Sequence, residues 1–173
     1  TFVDHGPLKV KDGIKFGLDL LQLLEDLPNI SMIFKEKKFL SYTPELTSIY
    51  KKLEEHPRCL VIRKTETNPI FSSEVIAQSD LVISAAYSST GAEALGARTR
   101  ALYYDIGGTD IGDQYYFNKF PNFVAHNYND LLNLTKYWLF ESSEMDFSTF
   151  LTDYVKNEID PFLDGKAIDR LQT

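Results

Sequence analysis

Ser84-Ala85-Ala86-Tyr87-Ser88-Ser89-Thr90-Gly91-Ala92-Glu93-Ala94-Leu95-Gly96 is the stretch richest in potential chemistry. An apolar run leads into three consecutive hydroxyl residues and a glycine, and a helical pattern follows. Free backbone N–H groups at a helix start, together with the helix dipole, favour a phosphate. The hydroxyls of Ser88, Ser89 and Thr90 can donate further bonds, and Gly91 permits close approach. The same residues also fit a plain helix cap, in which Ser88 or Ser89 holds the first N–H groups and no ligand is needed. Glu93, one turn further on, suits either the dipole of the first turn or hydrogen bonds from vicinal hydroxyls.

Other candidates are basic or titratable. Lys35, in Phe34-Lys35-Glu36-Lys37-Lys38, follows an apolar run and can meet a phosphate as a point charge or belong to a solvated cluster. Lys9 and Lys11 fall in the expected loop before the first helix. Asp4 and His5 form a candidate acid/base pair, although neighbours on an extended segment point opposite ways. Asp105, Asp110 and Asp113 lack the spacing of a calcium loop and read as turn formers beside glycine, so no metal site and no cofactor are expected. His126 reads as structural and His56, in His56-Pro57, as a surface turn residue.

These residues need elements to hold them. Short, nearly continuous apolar runs mark strands at Thr1–Val3, Ile30–Phe34, Cys59–Arg63, Leu81–Ser84, Ala101–Tyr104 and Asn122–Ala125. Helical patterns lie between them. Ile14, Leu18, Leu21 and Leu24 share a face within Lys11–Leu27, ended by Pro28-Asn29. Thr43-Pro44 signals a helix start, with Leu46, Ile49, Tyr50 and Leu53 following at helical spacing. Ser72-Ser73 opens a short helix through Gln78, and Ser88-Ser89-Thr90 another through Ala97. Asn129-Asp130 precedes an apolar helix to Phe140, and Phe147, Phe150, Leu151 and Tyr154 mark one more.

Strands alternating with helices predict an α/β fold: a Rossmann-like doubly wound parallel sheet of six strands, ordered 3-2-1-4-5-6, with helices on both faces. Ligands in such sheets bind beyond the carboxyl ends of the strands. Asp105–Pro121 is longer than the ~12–15 residues usual for a structureless loop and so is expected to be either mobile or shaped around something. The dense aromatics Tyr115, Tyr116, Phe117, Phe120, Trp138 and Phe140 are expected in the core or under a missing partner domain, ahead of any stacking site.

Ile76-Ala77-Gln78-Ser79-Asp80-Leu81-Val82-Ile83-Ser84, Ser88-Ser89-Thr90-Gly91, Glu93-Ala94-Leu95-Gly96 and Ala101-Leu102-Tyr103-Tyr104-Asp105 together resemble the donor-binding half of GT-B glycosyltransferases. The likeness is narrowest to bacterial surface-polysaccharide transferases and more distant to CDP-glycerol glycerophosphotransferases. Asp164-Gly165-Lys166-Ala167-Ile168-Asp169-Arg170 is similar to the tail of such enzymes. The resemblance implies transfer of a sugar from a nucleotide-sugar to a growing glycan. It implies Ser88, Ser89 and Thr90 at the donor phosphate, Glu93 on the ribose, and Lys35, Lys9 and Lys11 neutralising phosphate charge. The general base is then expected on a missing N-terminal Rossmann-like domain. Related enzymes often place a basic residue at the second strand end, sometimes in a Lys-x-His-Pro motif. Here the only His-Pro, His56-Pro57, precedes the third strand instead. A nucleotide-sugar 2-epimerase of the same fold and a non-catalytic α/β binding module are the alternatives.

Composition narrows the partners. The 173 residues carry 18 basic and 25 acidic side chains, a formal net charge of −7, which argues against a nucleic-acid partner. The single cysteine, Cys59, excludes an internal disulfide framework and a Cys-rich zinc site. No apolar run approaches the ~20 residues that span a bilayer. The expected location is therefore the cytoplasm or the inner face of its membrane. A start at Thr1 rather than Met, with only three residues in the first strand, leads us to expect one half of a two-domain enzyme.

Overall fold

The computed structural model describes residues 10–35, 43–63, 70–85, 88–107, 116–159 and 161–162. Helices α1 (Val10–Asp26), α2 (Pro44–Glu55), α3 (Ser72–Ile76) and α4 (Ser89–Gly96) alternate with strands β1 (Met32–Lys35), β2 (Cys59–Ile62), β3 (Leu81–Ala85) and β4 (Arg100–Tyr104). Beyond these lie a 3₁₀ turn at Tyr116–Lys119, β5 (Val124–Ala125), and helices α5 (Tyr128–Lys136), α6 (Glu144–Phe150) and α7 (Lys156–Glu158). The π-helical segment Tyr137–Glu141 extends α5, and a second, Leu151–Val155, joins α6 to α7.

All described strand pairs are parallel. β1 pairs with β2, and β3, β4 and β5 form a second sheet in that order. The chain is thus an α/β protein with parallel strands in two small sheets. The expected neighbours among these five strands are present, whereas Thr1–Val3, expected to join the two sheets, lies outside the described residues. β5 is shorter than the expected Asn122–Ala125. Asn122 adopts φ 55°, outside strand geometry, and its carbonyl accepts a 2.7 Å bond from Trp138 Nε1.

Each sheet is positioned by helices whose apolar spacing matches its surface. Thr43 caps α2 through its hydroxyl, Pro44 occupies the first turn, and Leu46, Ile49, Tyr50 and Leu53 are all buried. They pack with Phe34 of β1 and Leu20 of α1. Gly17 brings α1 against α2 so closely that an added Cβ would overlap Ile49 Cγ2. The carboxyl end of α1 is capped from a distance. The Arg58 guanidinium donates to the carbonyls of Leu27 and Ile30, both at 2.9 Å, and also to that of Leu24.

β4 is the centre of the larger sheet. Residues 101–104 are buried, and successive side chains point to opposite faces. Tyr103 lies against Gly91 of α4 and the rings of Phe117 and Phe123, while Tyr104 meets Phe16, Lys15 and Asp19 of α1. Helices therefore cover both faces of this sheet. Phe16 also contacts Phe34 of β1, so α1 touches both sheets. Phe117, Phe120 and Trp138 join the aromatic core with Phe147 and Phe150, whereas Phe140 is exposed. Tyr115 lies outside the described residues, as does the side chain of Tyr116.

Candidate functional site

The register of the larger sheet defines a corner at its carboxyl edge. Ser84, Tyr103 and Val124 stand in one row, and Ala85, Tyr104 and Ala125 in the next. Parallel neighbours in one row share a face, so Ser84 and Tyr103 both face α4. The next row beyond the strands places Asp105 beside His126. The Asp105 N–H still bonds to the Ala125 carbonyl at 2.8 Å. Two-residue alternation returns Asp105 and His126 to the α4 face.

The start of α4 is built differently from the other capped helices. Thr43, Asn127 and Ser143 each accept a bond from an N–H of their own helix. Ser88, the N-cap of α4, makes no such bond. Its hydroxyl instead meets that of buried Ser84 at 3.2 Å, and its carbonyl accepts a 2.7 Å bond from the Tyr103 phenol. Among the described residues, the first N–H groups of α4 therefore receive no cap from the Ser88 hydroxyl. Ser89 and Glu93, one turn apart, lie on the exposed side of this helix. Gly91 does allow a close approach, but to the Tyr103 ring, 2.7 Å from an added Cβ, rather than to a ligand.

Asp105 and His126 complete the corner. The Asp105 carboxylate is 6% exposed, and its Oδ2 lies 3.7 Å from Nδ1 of His126, whose side chain is 50% exposed. The His126 backbone N–H donates to Asp130 Oδ2 at 3.1 Å, which fixes the chain at this point. His126 thus stands against a buried carboxylate, although its sequence context suggested only a structural residue. The signal was cross-strand register, which no local pattern carries.

The remaining candidates lie elsewhere. Lys35 ends β1 in the other sheet. Lys11, expected in a loop, is an exposed residue of the first turn of α1, because the helix begins at Val10. No hydrogen bond or ion pair among the described residues joins Lys11 or Lys35 to the start of α4. Asp4, His5, Lys9, Asp110 and Asp113 fall outside the described residues. His56 does stand in a turn, where its carbonyl accepts the Cys59 N–H at 3.0 Å, but its side chain is not on the surface. Its side chain is 12% exposed, Nδ1 accepts from the Arg58 N–H, and Nε2 faces Glu25 at 3.2 Å.

A lysine that the sequence did not single out is held by two neighbours beside the larger sheet. Lys15 Nζ lies 2.5 Å from Asp19 Oδ2 and donates to the Tyr104 hydroxyl at 3.0 Å, while that hydroxyl donates to Asp19. Burial opposes the Lys15 charge, but its bonds with Asp19 and Tyr104 outweigh that and raise its pKa. Burial, followed by the bond to Asp19, pushes the Tyr104 phenol up to about 12.

Parallel strands in two small sheets, with helices on both faces of the larger one, define an α/β protein. The family model for polysaccharide biosynthesis PFTS motif proteins matches residues 9–135, more than half of the chain. The chain belongs to that family, and its role is in polysaccharide biosynthesis. No curated protein and no solved structure matches it. Among the described residues, no helix is long and apolar enough to cross a membrane.

Proposed function

We propose that the chain is the donor-binding part of a GT-B-type glycosyltransferase, taking a nucleotide-sugar whose phosphate lies at the start of α4. In this reading Thr1–Val3 is the central strand of one six-stranded doubly wound sheet, with β2 and β1 on one side and β3, β4 and β5 on the other. The observation that carries the site is the diverted hydroxyl of Ser88. Turned to Ser84, it forgoes a cap that typically contributes about 0.5–2 kcal/mol, and leaves the α4 N–H groups to a ligand. The hydroxyls of Ser89 and Thr90 add donors, and Glu93 accepts from the ribose hydroxyls. Backbone dipoles then hold the anion in a chain of net charge −7, with no cluster of cations required. The same donors stabilise the phosphate as it leaves the sugar. An acceptor glycan is the second substrate.

Thermal melting with CMP, CDP, UDP and GDP tests the reading. At least one nucleotide is expected to raise the melting temperature, and Ser89→Ala and Glu93→Ala to remove most of the rise while leaving the unliganded melt unchanged. Melting that no nucleotide shifts at millimolar concentration sinks the reading. Variants that bind as tightly as the parent put the site elsewhere.

A further inference from the structure

We propose that His126 is a proton-transfer residue for the attacking hydroxyl and Asp105 the residue that positions it. The inference rests on the transferase reading above but draws on separate residues. Asp105 and His126 follow neighbouring parallel strands in the same row, so the backbone fixes their side-by-side placement. The acid is buried and the imidazole half exposed, with Nδ1 on the acid side at 3.7 Å. This is an ion-pair separation, and such contacts commonly tighten to a hydrogen bond when substrate binds. A carboxylate beside Nδ1 favours the tautomer with the proton on Nδ1, leaving the Nε2 lone pair free as a base. Among the described residues the other charge beside His126 is Asp130, whose Oδ2 accepts from the His126 backbone N–H and the Asn127 side-chain amide. Both residues lie on the face of the sheet that α4 covers, at the edge where the phosphate is proposed to sit.

The step balances within the donor and acceptor. The acceptor hydroxyl gives its proton to His126 Nε2 as its oxygen bonds to the anomeric carbon. The bond from that carbon to the donor phosphate oxygen breaks, and the nucleotide leaves with the bonding pair. Imidazolium then returns the proton to water. This places a base on the chain itself rather than on a partner domain.

Two readouts test the proposal. Long-range proton–nitrogen NMR of the labelled chain in mildly alkaline solution reports the imidazole tautomers. His126 is expected with its proton on Nδ1, and Asp105→Asn is expected to move it toward Nε2, as in a free histidine side chain. A His126 protonated on Nε2 in the parent, or a tautomer indifferent to Asp105→Asn, overturns the proposal whether or not any donor is turned over.

Nucleotide release from nucleotide-sugars, with water in place of the glycan, is the second readout. His126→Gln is expected to lower kcat at least about 100-fold with KM within about twofold, and Asp105→Glu to recover more than Asp105→Asn. Unchanged kcat in His126→Gln overturns the proposal even if nucleotide binding through Ser89 and Glu93 stands. A chain that binds and hydrolyses no donor removes the transferase reading, and the tautomer then decides the pair alone. Melting curves verify that each variant is folded.

Discussion

The hydroxyl of Tyr103 donates to the backbone carbonyl of Ser88 at 2.7 Å, and the ring that carries it lies directly under Gly91. One side chain of β4 thereby sets both the height and the start of α4. The close fit needs the absence of a Cβ, since one would come within 2.7 Å of the ring carbons.

Gly91→Ala is therefore expected to destabilise the chain by about 1–3 kcal/mol, although alanine is the better helix former. Tyr103→Phe keeps the ring and loses the bond, at a cost of about 0.5–1.5 kcal/mol. Urea unfolding monitored by circular dichroism gives both values. A Gly91→Ala variant as stable as the parent would show that α4 can lift off Tyr103 freely.

A second close approach gives an independent check on the other sheet. Gly17→Ala places a methyl against Ile49 Cγ2, and we expect a loss of about 1–3 kcal/mol. In an Ile49→Ala background the obstacle is gone, so the same substitution should become neutral or gain up to about 1 kcal/mol from helix propensity. Equal effects in the two backgrounds would contradict the contact, and a double-mutant cycle measures the difference.

The helix α2 was legible almost residue by residue. Thr43, Pro44 and the four apolar positions Leu46, Ile49, Tyr50 and Leu53 all do what their spacing implies, because capping and amphipathic burial are local effects. Elsewhere the competing signals were tertiary. α3 begins with Phe71 rather than a serine at its cap, since Glu74 supplies the reciprocal bond to the Phe71 N–H. α5 is capped by Asn127, two residues before the expected Asn129-Asp130 start. The π-helical segments have no local signature and follow the packing of Trp138, Phe150 and Leu151 in the aromatic core. At the site, the strand-to-helix turn at Ser88 could be read from the sequence. The partnership of Asp105 with His126 could not, because it depends on register between strands joined by a long connection.

Stability should fall in alkali through the Lys15, Asp19 and Tyr104 group. The phenol titrates near 10.0 when free and near 12 when folded, owing first to burial and then to Asp19. Below pH 10 both states hold the proton and the contribution is complete; between about 10 and 12 the unfolded chain alone releases it, so stability drops as pH rises. Raised values at Lys15 and Tyr128 act in the same direction. Tyr104→Phe is expected to lose less stability than the parent between about pH 10 and about pH 12. Parallel losses in the two proteins, read from urea midpoints, would remove Tyr104 from the account.

The guanidinium of Arg58 has a kinetic consequence. It satisfies the carbonyls of Leu24, Leu27 and Ile30, 28 to 34 positions earlier in the chain, so the end of α1 cannot be completed until the start of β2 has arrived. Bonds across such a separation wait on loop closure, and interactions made after the folding transition state act on the unfolding rate. Arg58→Ala should accordingly hasten unfolding far more than it slows folding, and stopped-flow measurements of the two limbs would show it. The lifetime of the native chain, rather than the ease of reaching it, is what this residue governs.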